Sequence, residues 1–205
     1  MSTAAIVDYG MCNLDSIARA VEECGGSAIV TDDPAGLNAA THIILPGVGS
    51  FADAMRNLAD KRLDRALEKH VIGNNIPFLG ICLGMQLMAT VGLEGGETAG
   101  LGWIDGQVQK LMPSGEDFRI PHIGWNEVHP QGDSPLFQGI VPGRDFYFVH
   151  SYHMVCRKPS DIAADTPYAG GFVSAVRRDH IFGVQFHPEK SQRAGFQLIK
   201  NFLSV

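Results

Sequence analysis

The chain has 205 residues, 45% of them hydrophobic and 19% charged, with a formal net charge of −6. That length favours one domain able to bury its own core. The acidic balance, with no Lys/Arg run, argues against a nucleic-acid partner, and no apolar run approaches the roughly 18 residues of a membrane span.

The first half alternates strands and helices. Residues 4–8 read as a short apolar strand. Leu14, Ile17, Val21 and Cys24 then recur at helical spacing, with Asn13 as N-cap, until Gly25-Gly26 stops the helix. Residues 27–31 and 42–45 predict two further strands, the latter ending at Pro46. Leu58, Leu63, Leu67 and Val71 predict one or two helices closed near Gly73. Residues 76–80 predict a fourth strand and residues 83–91 a helix. Such alternation points to an open, mainly parallel sheet flanked by helices, an α/β fold.

From Gly102 onward the runs shorten and are broken by Pro and Gly. Residues 106–111, 118–123, 145–149 and 172–177 predict strands added antiparallel to the parallel core. Residues 181–185 predict another strand, and residues 191–203 a closing helix with Phe196, Ile199 and Phe202 inward. No internal repeat or domain boundary is visible, so residues 1–205 are expected to form one domain.

Glycine is in excess, 24 of 205 against a usual share of about 7%. Several glycines cluster where chemistry is expected. Gly80-Ile81-Cys82-Leu83-Gly84 follows an apolar strand and precedes a helix. This is the spacing of a nucleophile elbow with cysteine at its apex. Small flanking residues are needed because the turn crowds the backbone. The helix N-terminus favours a thiolate, and the Leu83 N–H is placed to face a developing oxyanion. Cys12, Cys24 and Cys156 lack such a setting. Cys24 reads as core, and Cys12 lies in a loop near the expected site mouth. No C-x-x-C pair or Cys/His zinc spacing occurs, so no metal is expected. Free cysteines and the lack of a basic-then-apolar leader fit a reducing cytoplasm.

A thiol that cleaves an amide needs a base that later protonates the leaving nitrogen. Of eight histidines, His187 stands out within Gln185-Phe186-His187-Pro188-Glu189. The preceding strand delivers it to a sheet edge, and Pro188 holds the backbone extended. Residues i and i+2 then point the same way, so Glu189 can orient the ring. His150 and His153 have a ligand-like spacing but no third ligand, and a structural or substrate-facing role is expected. His42, His70, His129 and His180 read as surface or strand-end residues. Pro46-Gly47-Val48-Gly49 directly follows a strand, and its glycines let the backbone aim an N–H at a carbonyl oxygen or turn it away.

Together these segments resemble the class I (triad) glutamine amidotransferases. Gly80–Gly84 is followed by Met85-Gln86, Pro46–Gly49 lies upstream and His187-Pro188-Glu189 lies near the end. Asp8-Tyr9-Gly10-Met11, Leu45–Gly49 with Phe51, Pro121-His122-Ile123-Gly124-Trp125-Asn126 and Tyr147-Phe148-Val149-His150-Ser151-Tyr152 narrow the likeness to the glutaminase subunits of the histidine pathway. The likeness covers essentially the whole chain. Cys12, where glycine is expected, and Asp15, where a basic residue is common, depart from it in the first loop.

The resemblance implies a Cys82–His187–Glu189 triad and an oxyanion site of Val48 or Gly49 with Leu83. It also implies glutamine held by Gly47, Gln86, Ser151 and Tyr152, with no cofactor. It further implies a heterodimer with a (β/α)8-barrel cyclase that receives the ammonia. Asn13, Trp125 and Lys190 are the candidate partner-facing residues. On the residues alone, a γ-glutamyl hydrolase or peptidase on a related elbow and a sister amidotransferase stay open.

Overall fold

In the computed structural model, residues 2–112 and 118–205 are described. Five strands form its parallel core: β1 (Thr3–Val7), β2 (Ser27–Thr31), β3 (His42–Gly47), β4 (Phe78–Cys82) and, much later in the chain, β13 (Ile181–Val184). Every residue of β3, β4 and β13 is buried, as expected where helices cover a parallel sheet on both faces. Side-chain alternation divides the core into two halves. Ile6, Ile44, Leu79 and Phe182 face α1 (Leu14–Glu23) and the C-terminal helix. Ala5, Ile43, Leu45 and Phe78 face α2 (Phe51–Asp60) and α3 (Leu63–Leu67).

The helix predicted over residues 83–91 is one turn long. α4 (Leu83–Gln86) gives way to β5 (Ala89–Gly92), which pairs with β6 (Thr98–Ala99) and β7 (Ile104–Lys110). An apolar run suits either state, and here strand pairing decides. The strand predicted from residue 118 begins later and runs further, as β8 (His122–Pro130).

β9 (Arg144–His150) matches its prediction to within a residue at each end. β10 (Tyr152–Cys156) and β11 (Ile162–Thr166) were not anticipated, and β12 (Phe172–Arg178) was. The main sheet has nine strands in the order β2-β1-β3-β4-β13-β12-β11-β8-β9, its second half antiparallel as expected. A second sheet, β10-β7-β5-β6, packs against it, with β10 on β12. α5 (Gln192–Phe202) closes the fold with Ile199 and Phe202 buried and Phe196 only half-buried.

Three smaller expectations are corrected. Asn13 stands at the N-cap of α1 but its side chain makes no capping hydrogen bond. Asp15 lies in the first turn of that helix rather than in the loop, where a carboxylate suits the helix dipole. His70 is buried within a helical segment rather than at the surface or a strand end, whereas His42 opens β3 as read and is buried there.

β4 and α4 meet at the elbow, and its glycines are sterically required. A Cβ on Gly84 would lie 1.8 Å from the Leu45 carbonyl oxygen of the neighbouring strand, and one on Gly80 would lie 2.6 Å from the Gly84 carbonyl oxygen. Gly84→Ala is therefore expected to destabilise the fold by about 3 kcal/mol. A differential scan should show a melting temperature lower by about 6–12 °C.

Candidate active site

Cys82 ends β4 with φ 54° and ψ −109°, a left-handed conformation costly for a residue with a side chain. The strain lifts the thiol to the carboxyl end of the parallel strands, where open α/β sheets place their sites. Its sulfur lies 3.8 Å from the Val149 carbonyl oxygen and 3.6 Å from Gln185 Nε2.

His187 arrives from β13. Its N–H donates to the Tyr147 carbonyl at 2.9 Å. Ser191 Oγ donates to the His187 carbonyl at 2.6 Å and accepts the Tyr147 N–H at 3.0 Å. The His187–Glu189 turn is thereby tied to β9. As the i, i+2 spacing predicts, Glu189 Oε1 meets His187 Nδ1 at 2.8 Å, and both side chains are almost fully buried.

This contact leaves Nε2 as the free ring nitrogen, buried and without a formed hydrogen bond. Burial works against a charged imidazole. The Cys82 sulfur and the Glu189 carboxylate overcome it, pushing the His187 pKa up to about 10. His187 therefore carries a proton at neutral pH.

The loop Pro46–Gly49 does not aim its donor at the sulfur. The Val48 N–H donates to the Met11 carbonyl at 2.9 Å, away from the elbow. Gly49 has φ 114°, open to glycine alone. The Leu83 N–H, in the first turn of α4, has no intrahelical acceptor. Tyr9 is buried beneath this loop, and a Cβ on Gly47 would lie 1.9 Å from its hydroxyl oxygen. That hydroxyl has no partner, and burial, then Cys12 and Cys82, raise its pKa.

A pocket of about 320 Å³ opens over Cys82, lined also by Val48, Gly49, Leu83, Gln86 and Glu94. Its far wall is Pro121 with the turn from Val149 to Tyr152. Gln86, Ser151 and Tyr152 thus come together as the sequence predicts, but the two backbone carbonyls of that turn are occupied within the protein. The Ser151 carbonyl accepts the Leu111 N–H, and that of Tyr152 accepts Gln86 Nε2 and His150 Nδ1, both at 2.9 Å. Glu94 is the acid of the pocket, which sequence reasoning missed. It also accepts the Phe51 N–H at 2.8 Å, so its position is fixed by α2.

Behind the turn, the donors fall into one direction. Asn126 Nδ2 lies 3.3 Å from His122 Nε2, His122 Nδ1 lies 3.0 Å from His150 Nε2, and His150 Nδ1 reaches the Tyr152 carbonyl. Since the carbonyl can only accept, each ring donates through Nδ1 and accepts through Nε2. Both nitrogens of His150 are therefore in use, which fits a structural role. His122 also stacks on Tyr168, with ring centroids 3.8 Å apart.

Burial lowers the His122 pKa to about 4. Burial above all lowers that of His150 to about 3, with neighbouring histidines adding to the effect. Below pH 6.5 the unfolded chain takes up protons that the folded one refuses. The stability that these two rings contribute is thus complete above that value and falls as the pH drops toward 3–4. Acid unfolding followed by circular dichroism should begin below pH 6.5, and His122→Gln should make that limb shallower.

Trp125 is 47% exposed on β8, outside the core. Lys190 Nζ lies 5.9 Å from the centre of the Tyr147 ring, on the same side of the sheet edge. A groove of about 570 Å³ is lined by Trp125, Arg144 and Gln192 and does not include Cys82.

A strained cysteine at a strand-to-helix turn, a histidine oriented by a buried glutamate and a glycine loop beside them define a thiol amidohydrolase site. Residues 5–205 match the family model "Glutamine amidotransferase class-I", and the chain belongs to that family. It is 48% identical over 202 residues to "Imidazole glycerol phosphate synthase subunit HisH" of Moorella thermoacetica, covering 98% of this chain and 94% of the relative. It is 47% identical over 209 residues to the protein of the same name from Brucella abortus, covering 97% of each. Among solved structures, "Structure of PurLQS from Thermotoga maritima" matches with a TM-score of 0.75 at 20% identity, covering 100% of this chain and 99% of that one. The match to "Crystal structure of glutamine amidotransferase" has a TM-score of 0.74 at 16% identity, covering 98% and 99%. These two likenesses speak to the fold.

Proposed function

We propose that this chain is the glutaminase subunit of imidazole glycerol phosphate synthase in histidine biosynthesis. It releases ammonia from glutamine and passes it to a (β/α)8-barrel cyclase. The observation that carries the chemistry is the buried His187–Glu189 pair, 2.8 Å apart, beside a strained Cys82. The near-full-length likeness to HisH proteins carries the pathway.

In this reading the Cys82 thiolate attacks the side-chain amide carbon of glutamine. The carbonyl oxygen becomes an oxyanion held by the N–H groups of Leu83 and of Val48 or Gly49. His187, already an imidazolium, gives its proton to the departing nitrogen, and ammonia leaves a γ-glutamyl thioester. His187, now neutral, takes a proton from water as that water attacks the thioester. Glutamate leaves and the thiolate returns. Glu189 keeps the ring oriented through both steps.

Glu94 and Gln86 in the pocket wall receive the amino-acid end of the substrate. Gln86 Nε2 is held by its two acceptors, so its side-chain oxygen is left for the substrate ammonium. Asn13, exposed Trp125 and Lys190 mark the face toward the cyclase. One domain spanning the chain, working in the cytoplasm, suits this role.

Coupled turnover tests the reading. The chain, mixed with the histidine-pathway cyclase and its ribotide substrate, should convert glutamine to glutamate and form imidazole glycerol phosphate in equal amounts. Cys82→Ala should abolish both products while exogenous ammonia still supports the cyclase. Glutamate release without a cyclised product would send the ammonia to another acceptor and reject the pathway. Hydrolysis of γ-glutamyl peptides in preference to glutamine would reject the glutaminase.

A further inference from the structure

A buried chain of hydrogen bonds ends on the nucleophile. The Tyr152 carbonyl accepts Gln86 Nε2 at 2.9 Å, the same Nε2 donates to Gln185 Oε1 at 3.0 Å, and Gln185 Nε2 donates to Cys82 Sγ at 3.6 Å. Gln185 is completely buried, directly after β13 and two residues before His187.

The direction of this chain is fixed by its far end. A carbonyl only accepts, so Gln86 must turn its NH2 group toward Tyr152. The second hydrogen of that group goes to Gln185, which must therefore present its oxygen. The NH2 of Gln185 is left facing the sulfur. A backbone carbonyl thus determines, through two amides, that the sulfur meets a donor.

The sulfur's other hydrogen-bond neighbour acts in the opposite sense. The Val149 carbonyl, 3.8 Å away, accepts an S–H but repels a thiolate. His187 Nε2 makes no formed hydrogen bond, and neither does the Tyr9 hydroxyl. Cys12 donates instead to the Val7 carbonyl at 3.6 Å, and Glu189 is engaged behind His187. Beside the His187 imidazolium, which the sulfur itself helps to keep protonated, Gln185 is the formed hydrogen-bond donor that remains on the ionised sulfur among the described residues.

We infer that Gln185 is a catalytic residue. Its amide N–H holds the Cys82 sulfur in position and stabilises the thiolate that attacks the substrate. The inference rests on the reading of Cys82 as nucleophile.

The test is the pH dependence of Cys82 alkylation by iodoacetamide on the full chain. Peptide mass spectrometry separates Cys82 from Cys12, Cys24 and Cys156. Gln185→Met keeps the volume and removes the donor, and it should move the midpoint up by about one pH unit. Gln185→Glu brings a carboxylate to the sulfur and should move it further. In the loaded complex both variants should lower kcat about tenfold or more, with KM little changed. An unmoved midpoint in a Gln185→Met protein with the wild-type melting curve would overturn the inference.

A second measurement needs no variant of Gln185. In the wild-type chain the side-chain amide resonance of Gln185 should shift with pH along the Cys82 midpoint, and should stay flat in Cys82→Ala. A flat resonance in the wild type would also overturn it. Both readouts use the isolated chain without glutamine, so they stand apart from failure of the proposed glutaminase activity, which is read as ammonia release by the wild-type complex.

Discussion

Glutamine turnover by the isolated chain is expected to be about 10²–10³-fold slower than in the complex with the cyclase and its bound ligand. The oxyanion loop is the reason. One N–H that should face the developing charge instead donates to the Met11 carbonyl at 2.9 Å. With Val48 turned away, the proposed Leu83–Val48 pair lacks one member, and losing one such donor typically costs a factor of that size in kcat. Turning the Gly47–Val48 peptide restores the pair, and the glycines on either side of Val48 give the backbone that freedom. Met11, which holds the Val48 N–H, is two residues from Asn13, so a partner seated there can shift the balance between the two orientations. Steady-state ammonia release with and without the loaded cyclase decides the matter. Equal rates would mean that the loop is no gate.

Glu189→Gln is expected to lower kcat by about 10²–10⁴-fold while leaving the melting temperature at pH 7 within a few degrees of wild type. The glutamate side chain is buried, with one oxygen on His187 and the other without any partner. A neutral amide fits the same space and can still accept the His187 Nδ1–H, and the ring can shed its extra proton rather than stay charged without a carboxylate, which limits the loss to the fold. The chemistry loses more. The carboxylate fixes which ring nitrogen faces Cys82 and supports the proton that His187 carries up to about pH 10. With glutamine at that position, the imidazolium is weakened as a proton donor and the ring orientation is no longer assured. Paired measurements of kcat and thermal unfolding separate the two effects. A variant that lost stability and activity together would show Glu189 to be a structural residue.

The geometry of the candidate site was legible in the sequence because each part of it is local. The elbow, the Pro46–Gly49 loop and the His187–Glu189 turn each occupy a few residues at the end of one buried strand, and period-two geometry alone puts Glu189 beside His187. Tertiary pairing decided most of what was missed. Residues 89–92 extend a helical-looking apolar run, yet Ala89 pairs with Ile104 and the run becomes β5. β10 has a single buried residue, Met154, so its five residues carry almost no alternation to detect. β8 likewise buries only His122 and Val128 of nine.

Within the site, Glu94, Tyr9 and Gln185 escaped notice for a related reason. Each is brought to Cys82 by a different element, and nothing in its immediate neighbours announces that meeting. Gln185 did leave one sign, an amide at the end of a strand whose every other residue is buried. His70 was misplaced because hydrophobic patterning cannot tell a buried histidine from an exposed one near a helix end.

The passage from β9 through Ser151 into β10 carries a constraint of another kind. Within six residues, Tyr147 ties down the histidine turn, Val149 touches the sulfur, His150 ends a donor relay and Tyr152 anchors the glutamine pair. All of these depend on which way alternate residues face. Tyr147, Val149 and Tyr152 act through backbone atoms, so exchanging their side chains leaves these contacts in place, and His150 alone acts through its ring. Adding or deleting a single position would turn every later residue to the wrong side at once. Evolution can therefore vary the lettering of this stretch, but not its length.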